Sequence, residues 1–67
     1  MSLRKGQRVR ARRQVGTFWS GYVYQDTEGT VVEVNEPWIG DITYRVRFPN
    51  QTVDYLTEED LARAGKW

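Results

Sequence analysis

Ile42-Thr43-Tyr44-Arg45-Val46-Arg47-Phe48 alternates apolar and polar side chains without a break. A period of two is the signature of a half-buried strand, and it sends Tyr44, Val46 and Phe48 to one face and Arg45 and Arg47 to the other. Just upstream, Glu36-Pro37-Trp38-Ile39-Gly40-Asp41 reads as a connection, because Pro and Gly end strands. Before it, Glu28-Gly29-Thr30-Val31-Val32-Glu33-Val34 reads as a second strand. Its expected phase puts Thr30, Val32 and Val34 toward the core and Val31 and Glu33 outward. If the two strands form a hairpin, Glu33 falls near Arg45 or Arg47. Further upstream, Lys5-Gly6-Gln7-Arg8-Val9-Arg10-Ala11-Arg12 alternates again, with Val9 and Ala11 inward and Arg8, Arg10 and Arg12 outward. Downstream, Pro49-Asn50 turns the chain, and residues 51–56 read as the last strand.

Two segments do not alternate. Residues 13–27 hold Gly16, Ser20 and Gly21 as breakers, with Phe18, Trp19, Tyr22 and Tyr24 crowded among them. They read as a long loop folded back on itself and packed by its own aromatics. Thr57-Glu58-Glu59-Asp60 reads as a helix start. Thr57 is the cap, Asp60 is the capping-box acid, and Leu56 and Leu61 are the flanking apolar pair. The acids suit the positive end of a helix dipole. The expectation is one helical turn near residues 57–64, ended by Gly65.

The chain has 67 residues, with no His and no Cys. That length reads as a single domain, 1–67, which buries only about 60% of the surface exposed by its unfolded chain. Disulfides and thiolate metal sites are excluded, as is histidine chemistry. Ser2 and Ser20 have no His to activate them. Gly16, Gly21 and Gly29 lack the spacing of a phosphate loop. No catalytic residue, metal ligand or cofactor site is expected. No apolar run approaches the roughly 18 residues of a membrane span, and no apolar stretch follows the basic N-terminus. A cytoplasmic protein with no membrane partner is the expectation.

Net charge is +1, but residues 1–13 carry six basic side chains and no acid, while the remainder carries four basic and nine acidic ones. Such asymmetry marks either a strand face kept soluble by charge or a nucleic-acid face. Arg8, Arg10, Arg12, Arg45 and Arg47 would form that face, with salt-dependent phosphate contacts. Trp19 or Tyr22 would stack on bases. Glu33, Glu36 and Asp41 lie close enough to dilute the field. The aromatic segment has its own two readings. Phe18 and Tyr22 either cap one end of the fold or, with Trp19, Tyr24 and Trp38, form anchors for another protein. A core this small leaves at least two of Trp19, Trp38 and Trp67 partly exposed. Trp67 and an outward Val31 would offer a surface for self-association.

The order of basic strand, long loop, Glu-Gly-x-Val strand, Tyr-x-Val-x-Phe strand and Leu-x-x-x-x-Leu turn resembles the SH3-like barrels. Gly6-Gln7-Arg8-Val9-Arg10, Glu28-Gly29-Thr30-Val31, Trp38-x-Gly40-x-Ile42, Val46-Arg47-Phe48 and Leu56-x-x-x-x-Leu61 are similar to the variable chain of ferredoxin–thioredoxin reductase. The Tyr-His-Pro segment of that family is missing here. The resemblance implies a non-catalytic subunit that packs on an iron–sulfur partner. The small SH3-like subunit of photosystem I is similar in outline, as are KOW-type and Tudor-like barrels. Type II dihydrofolate reductase is another short SH3-like chain. Its catalytic Val-Gln-Ile-Tyr would fall at Val53-Asp54-Tyr55-Leu56, where the Gln-Ile-Tyr is absent. The expected fold is therefore all-β: an SH3-like small barrel of about five antiparallel strands with one short C-terminal helical turn. The expected function is a non-enzymatic protein-interaction module or accessory subunit, its Arg face steering an acidic partner. The alternative is a nucleic-acid-binding barrel that uses the Arg face.

Overall fold

A computed structural model describes residues 3–64. It contains seven strands: β1 Arg8–Ala11, β2 Val15–Thr17, β3 Gly21–Val23, β4 Glu28–Asn35, β5 Thr43–Arg47, β6 Thr52–Leu56 and β7 Leu61–Arg63. Five of them make one antiparallel sheet in the order β6-β5-β4-β1-β7, and β2 and β3 pair as a separate hairpin. The fold is all-β, and no helix is present among the described residues.

Alternation sets the core where it was expected. Val9 and Ala11 of β1, Tyr44 and Val46 of β5, and Phe48 just after β5 are buried, while Arg8, Arg10, Arg45 and Arg47 face solvent. Every strand contributes at least one side chain to a single apolar cluster, with Val15, Val23, Val31, Leu56 and Leu61 supplied by β2, β3, β4, β6 and β7. The buried Tyr44 hydroxyl accepts a hydrogen bond from the Leu3 amide at 3.2 Å, which ties down the start of the described chain.

Four expectations are corrected. First, β4 has the opposite phase at its start: Gly29 and Val31 face the core, and Val31 has no exposed surface. The cause is a bulge. Val31 pairs with Val46 and Glu33 with Arg45, so Val32 is an extra residue with no partner. The bulge resets the phase, so that beyond it Glu33 is outward and Val34 packs against the core. An inward Val31 cannot serve a self-association surface, and Trp67 lies outside the described residues. Second, residues 13–27 are not a loop packed by aromatics. They hold the β2–β3 hairpin, whose two valines enter the core while its aromatics face outward.

Third, there is no helical turn over residues 57–64. Residues 57–60 form a tight turn and the chain then re-enters the sheet as β7. The capping contact itself forms: Asp60 Oδ2 accepts from the Thr57 amide at 3.0 Å. Leu56 and Leu61 both enter the core cluster. A helix of so few residues has little intrinsic stability. The strand conformation instead lets β1 pair on both sides, Val9 opposite Arg63 and Ala11 opposite Leu61. Gly65, the expected stop, lies outside the described residues. Fourth, the strands among the described residues number seven rather than about five, and residues 52–56 form the sixth rather than the last.

A second bulge lies in β6. Tyr44 pairs with Leu56 and Val46 with Val53, so Asp54 and Tyr55 together oppose Arg45. Tyr55 takes up the distortion with a φ of +63°. That left-handed conformation is uncommon for a bulky side chain.

Candidate functional site

The β2–β3 hairpin carries three of the five candidate contact aromatics, Phe18, Trp19 and Tyr22, and Tyr24 directly follows β3. Val15 pairs with Val23, Gly16 with Tyr22 and Thr17 with Gly21, leaving Phe18-Trp19-Ser20 as the tip. Gly16 has a φ of +100°, and a Cβ there would run into the Gly21 carbonyl, so only glycine fits. The tip closes on itself through side chains. The Thr17 amide donates to Ser20 Oγ at 3.2 Å, and the Ser20 amide donates to Thr17 Oγ1 at 3.0 Å. Two side chains of the β5–β6 turn then clasp the hairpin to the sheet. Gln51 Nε2 donates to the Gly21 carbonyl at 2.6 Å, and Asn50 Nδ2 donates to the Tyr22 carbonyl at 3.2 Å.

The result is a hairpin whose backbone is tied down and whose rings are exposed. Phe18 is 76% and Trp19 91% exposed, and the two rings meet edge to face at 5.5 Å. Tyr24 is also exposed, and Tyr22 less so. Phe18 and Tyr22 therefore do not cap the core. No charged residue lies between Gln14 and Gln25.

Trp38 is fully exposed, but it does not join this group. It lies in the β4–β5 connection, at the Thr43 end of β5, whereas the hairpin is clasped at the Phe48–Gln51 end. Five residues of β-strand hold those ends about 14 Å apart. The neighbouring Ile39 is equally exposed and was not singled out from sequence, nor was Tyr55, which is 78% exposed. No local sequence signal marks Tyr55, because its exposure follows from the bulge.

The arginine face is largely compensated. Glu28 lies 2.8 Å from Arg8 and 3.8 Å from Arg10, and Arg45 lies between Glu33 at 3.0 Å and Asp54 at 2.6 Å. The hydrogen bond to Asp54, with the charges of Asp54 and Glu33, pushes the Arg45 pKa still further up. Of the five candidate arginines, only Arg12 and Arg47 form no ion pair among the described residues. Arg13, outside that set, donates to Asp60 Oδ1 at 2.6 Å. Burial pushes the Asp60 carboxyl up, but the Thr57 amide and the Arg13 guanidinium outweigh it and hold the pKa below its ordinary value.

Among the described residues no three His, Cys, Asp or Glu side chains are grouped to hold a metal ion, and no helix is long and apolar enough to cross a membrane. Compared with known proteins, the chain matches no family model, no curated protein and no solved structure.

Proposed function

We propose that this chain is an SH3-like barrel acting as a non-enzymatic protein-interaction module or accessory subunit, with the Phe18–Trp19 hairpin tip as its contact point. The fold reading is supported by the strand order β6-β5-β4-β1-β7, by the long excursion between β1 and β4, and by the short turn that returns β7 to β1. An accessory subunit in the manner of the ferredoxin–thioredoxin reductase variable chain is one form of this role.

The observation that carries the function is the exposure of Phe18 and Trp19 on a hairpin whose backbone is tied down. Anchors held in place lose little conformational entropy when they bind, and Trp is the residue most enriched at interface hot spots. The compensated arginine face supports this reading over nucleic-acid binding, since three of its five cations already face carboxylates.

The test is affinity capture with three immobilised baits: the wild-type chain, Trp19→Ala, and Arg10→Ala with Arg12→Ala. The proteins held by the wild type should fall by about 30-fold with Trp19→Ala, the loss of one hot-spot anchor. The arginine double variant should retain them. Unchanged retention by Trp19→Ala refutes the tip as contact point. Recovery of nucleic acid, with a salt slope about 2 lower in the arginine variant, would make the Arg face the working surface.

A further inference from the structure

Exposed apolar side chains stand at both ends of β5, and the uncompensated charges beside them have opposite sign. At one end are Phe18 and Trp19. Arg47 precedes the turn that clasps their hairpin and forms no ion pair among the described residues. At the other end are Trp38 and Ile39, both exposed. Beside them an open cleft of about 540 Å³ runs between the β4–β5 connection and the turn at residues 57–60. Ile42, which packs on the core, lines it together with Asp41, Glu58 and Glu59. Asp41 and Glu59 form no ion pair among the described residues, and none of the described Lys or Arg residues lines the cleft.

We infer that the occupant of this cleft is the hairpin tip of a second copy of the chain, so that copies associate head to tail. The inference rests on the reading of the tip as a contact point and names its partner. The cleft falls in the size range of about 300–1,000 Å³ that takes a ring-sized ligand. Ile42 gives the incoming Trp19 an apolar surface, and its indole N–H finds a carboxylate acceptor in Asp41 or Glu59. Arg47 of the incoming copy approaches the acidic rim, while Trp38 and Ile39 extend the apolar contact. Within one chain the tip and the cleft cannot meet, because β5 holds them apart. The two surfaces differ, so the contact is heterologous: it grows by addition or closes into a ring.

The experiment is sedimentation velocity on the full chain from about 10 µM to about 1 mM, the range in which small interfaces assemble. Wild type should shift from monomer to larger species, less so when salt is raised from about 0.05 to about 0.5 M. Trp19→Ala has a disabled tip, and Asp41→Lys with Glu59→Lys has a disabled cleft. All three positions are exposed, so folding is preserved, and circular dichroism checks it. Each variant alone should be monomeric, while a mixture of the two should form a one-to-one dimer and nothing larger. A wild type that stays monomeric throughout overturns self-association and leaves the tip to be judged by the capture experiment. A wild type that assembles while Trp19→Ala also assembles overturns the tip itself. A monomeric mixture, or an unaffected cleft variant, overturns the head-to-tail pairing.

Discussion

Replacing Gly29 by alanine tests how closely β4 and β5 approach. Gly29 is buried in β4 and its φ lies outside the left-handed region, so alanine suits the backbone. The space does not suit it. A Cβ would stand 2.7 Å from the Arg47 carbonyl oxygen, 2.8 Å from Phe48 Cδ1 and 2.9 Å from Val46 Cγ1. The first of these is backbone, and Phe48 and Val46 are themselves buried, so all three neighbours would have to move. Overpacking of this kind costs about 1–3 kcal/mol. Against it stand about 0.4–1 kcal/mol from a less flexible unfolded chain and the burial of one methyl group, about 0.8 kcal/mol. At mid-range the net expectation is a loss of about 0.5 kcal/mol, in a domain whose total stability is about 3–10 kcal/mol at its length. The melting temperature should fall by about 2–4 °C. Thermal and urea unfolding followed by circular dichroism measure this. Phe48→Leu combined with Gly29→Ala should cost less than the sum of the two single changes, because it makes room. A Gly29→Ala protein that melts at or above the wild-type temperature refutes the close approach.

Three further outcomes follow from the geometry. Asp60→Asn should lose about 1 kcal/mol at neutral pH. Because the folded-state pKa of Asp60 is held below its unfolded value of about 3.9, its contribution is complete above that pH and vanishes as pH falls through the folded value. The gap between wild type and Asp60→Asn in urea unfolding should therefore close below about pH 4, and a constant gap counts against the assignment. Deleting Val32 should leave the chain folded, because Val31 opposite Val46 and Glu33 opposite Arg45 then follow one another in unbroken alternation, with Gly29, Val31 and Val34 still inward. Loss of a dispersed amide NMR spectrum in the deletion variant would contradict this. Tyr55→Gly should stabilise by up to about 1 kcal/mol, as relief of about 1–2 kcal/mol of left-handed strain exceeds the added unfolded-state entropy of about 0.5–1 kcal/mol. A lower melting temperature would show that the Tyr55 ring packs more than its exposure indicates.

The strands that alternate cleanly were legible. Tyr44, Val46, Phe48, Val9 and Ala11 all face inward as the period of two requires. Glu33 reaches Arg45 as cross-strand pairing requires. What was not legible came from features with no local signal. Val31-Val32 offers two adjacent valines, and only pairing with β5 decides which one is the bulge. The Thr57–Asp60 contact serves a tight turn as well as a helix, and the choice was made by β1, which lies far away in sequence. In the hairpin the large aromatics drew the eye inward, yet the core took only Val15 and Val23. Three-residue strands are too short to show a period.

Charge gave the subtlest mismatch. Six basic residues at the front and an acidic remainder suggest a segregated surface. Antiparallel pairing undoes the segregation, because it lays the basic front of the chain against its acidic middle. Glu28 meets Arg8 and Arg10 across β1 and β4, and Glu33 and Asp54 flank Arg45 across β4, β5 and β6. Three carboxylates set against the five arginines weaken the field that the sheet face presents to a phosphate backbone. Arg47 remains beside the turn that clasps the hairpin, and Asp41 and Glu59 near the β4–β5 connection. Exposed aromatic side chains stand at these same two ends, Trp19 at one and Trp38 at the other. Apolar anchors beside uncompensated charge are the combination that gives a contact both affinity and orientation. The middle of the sheet is already paired, which is why the contacts proposed for this small fold lie at its ends.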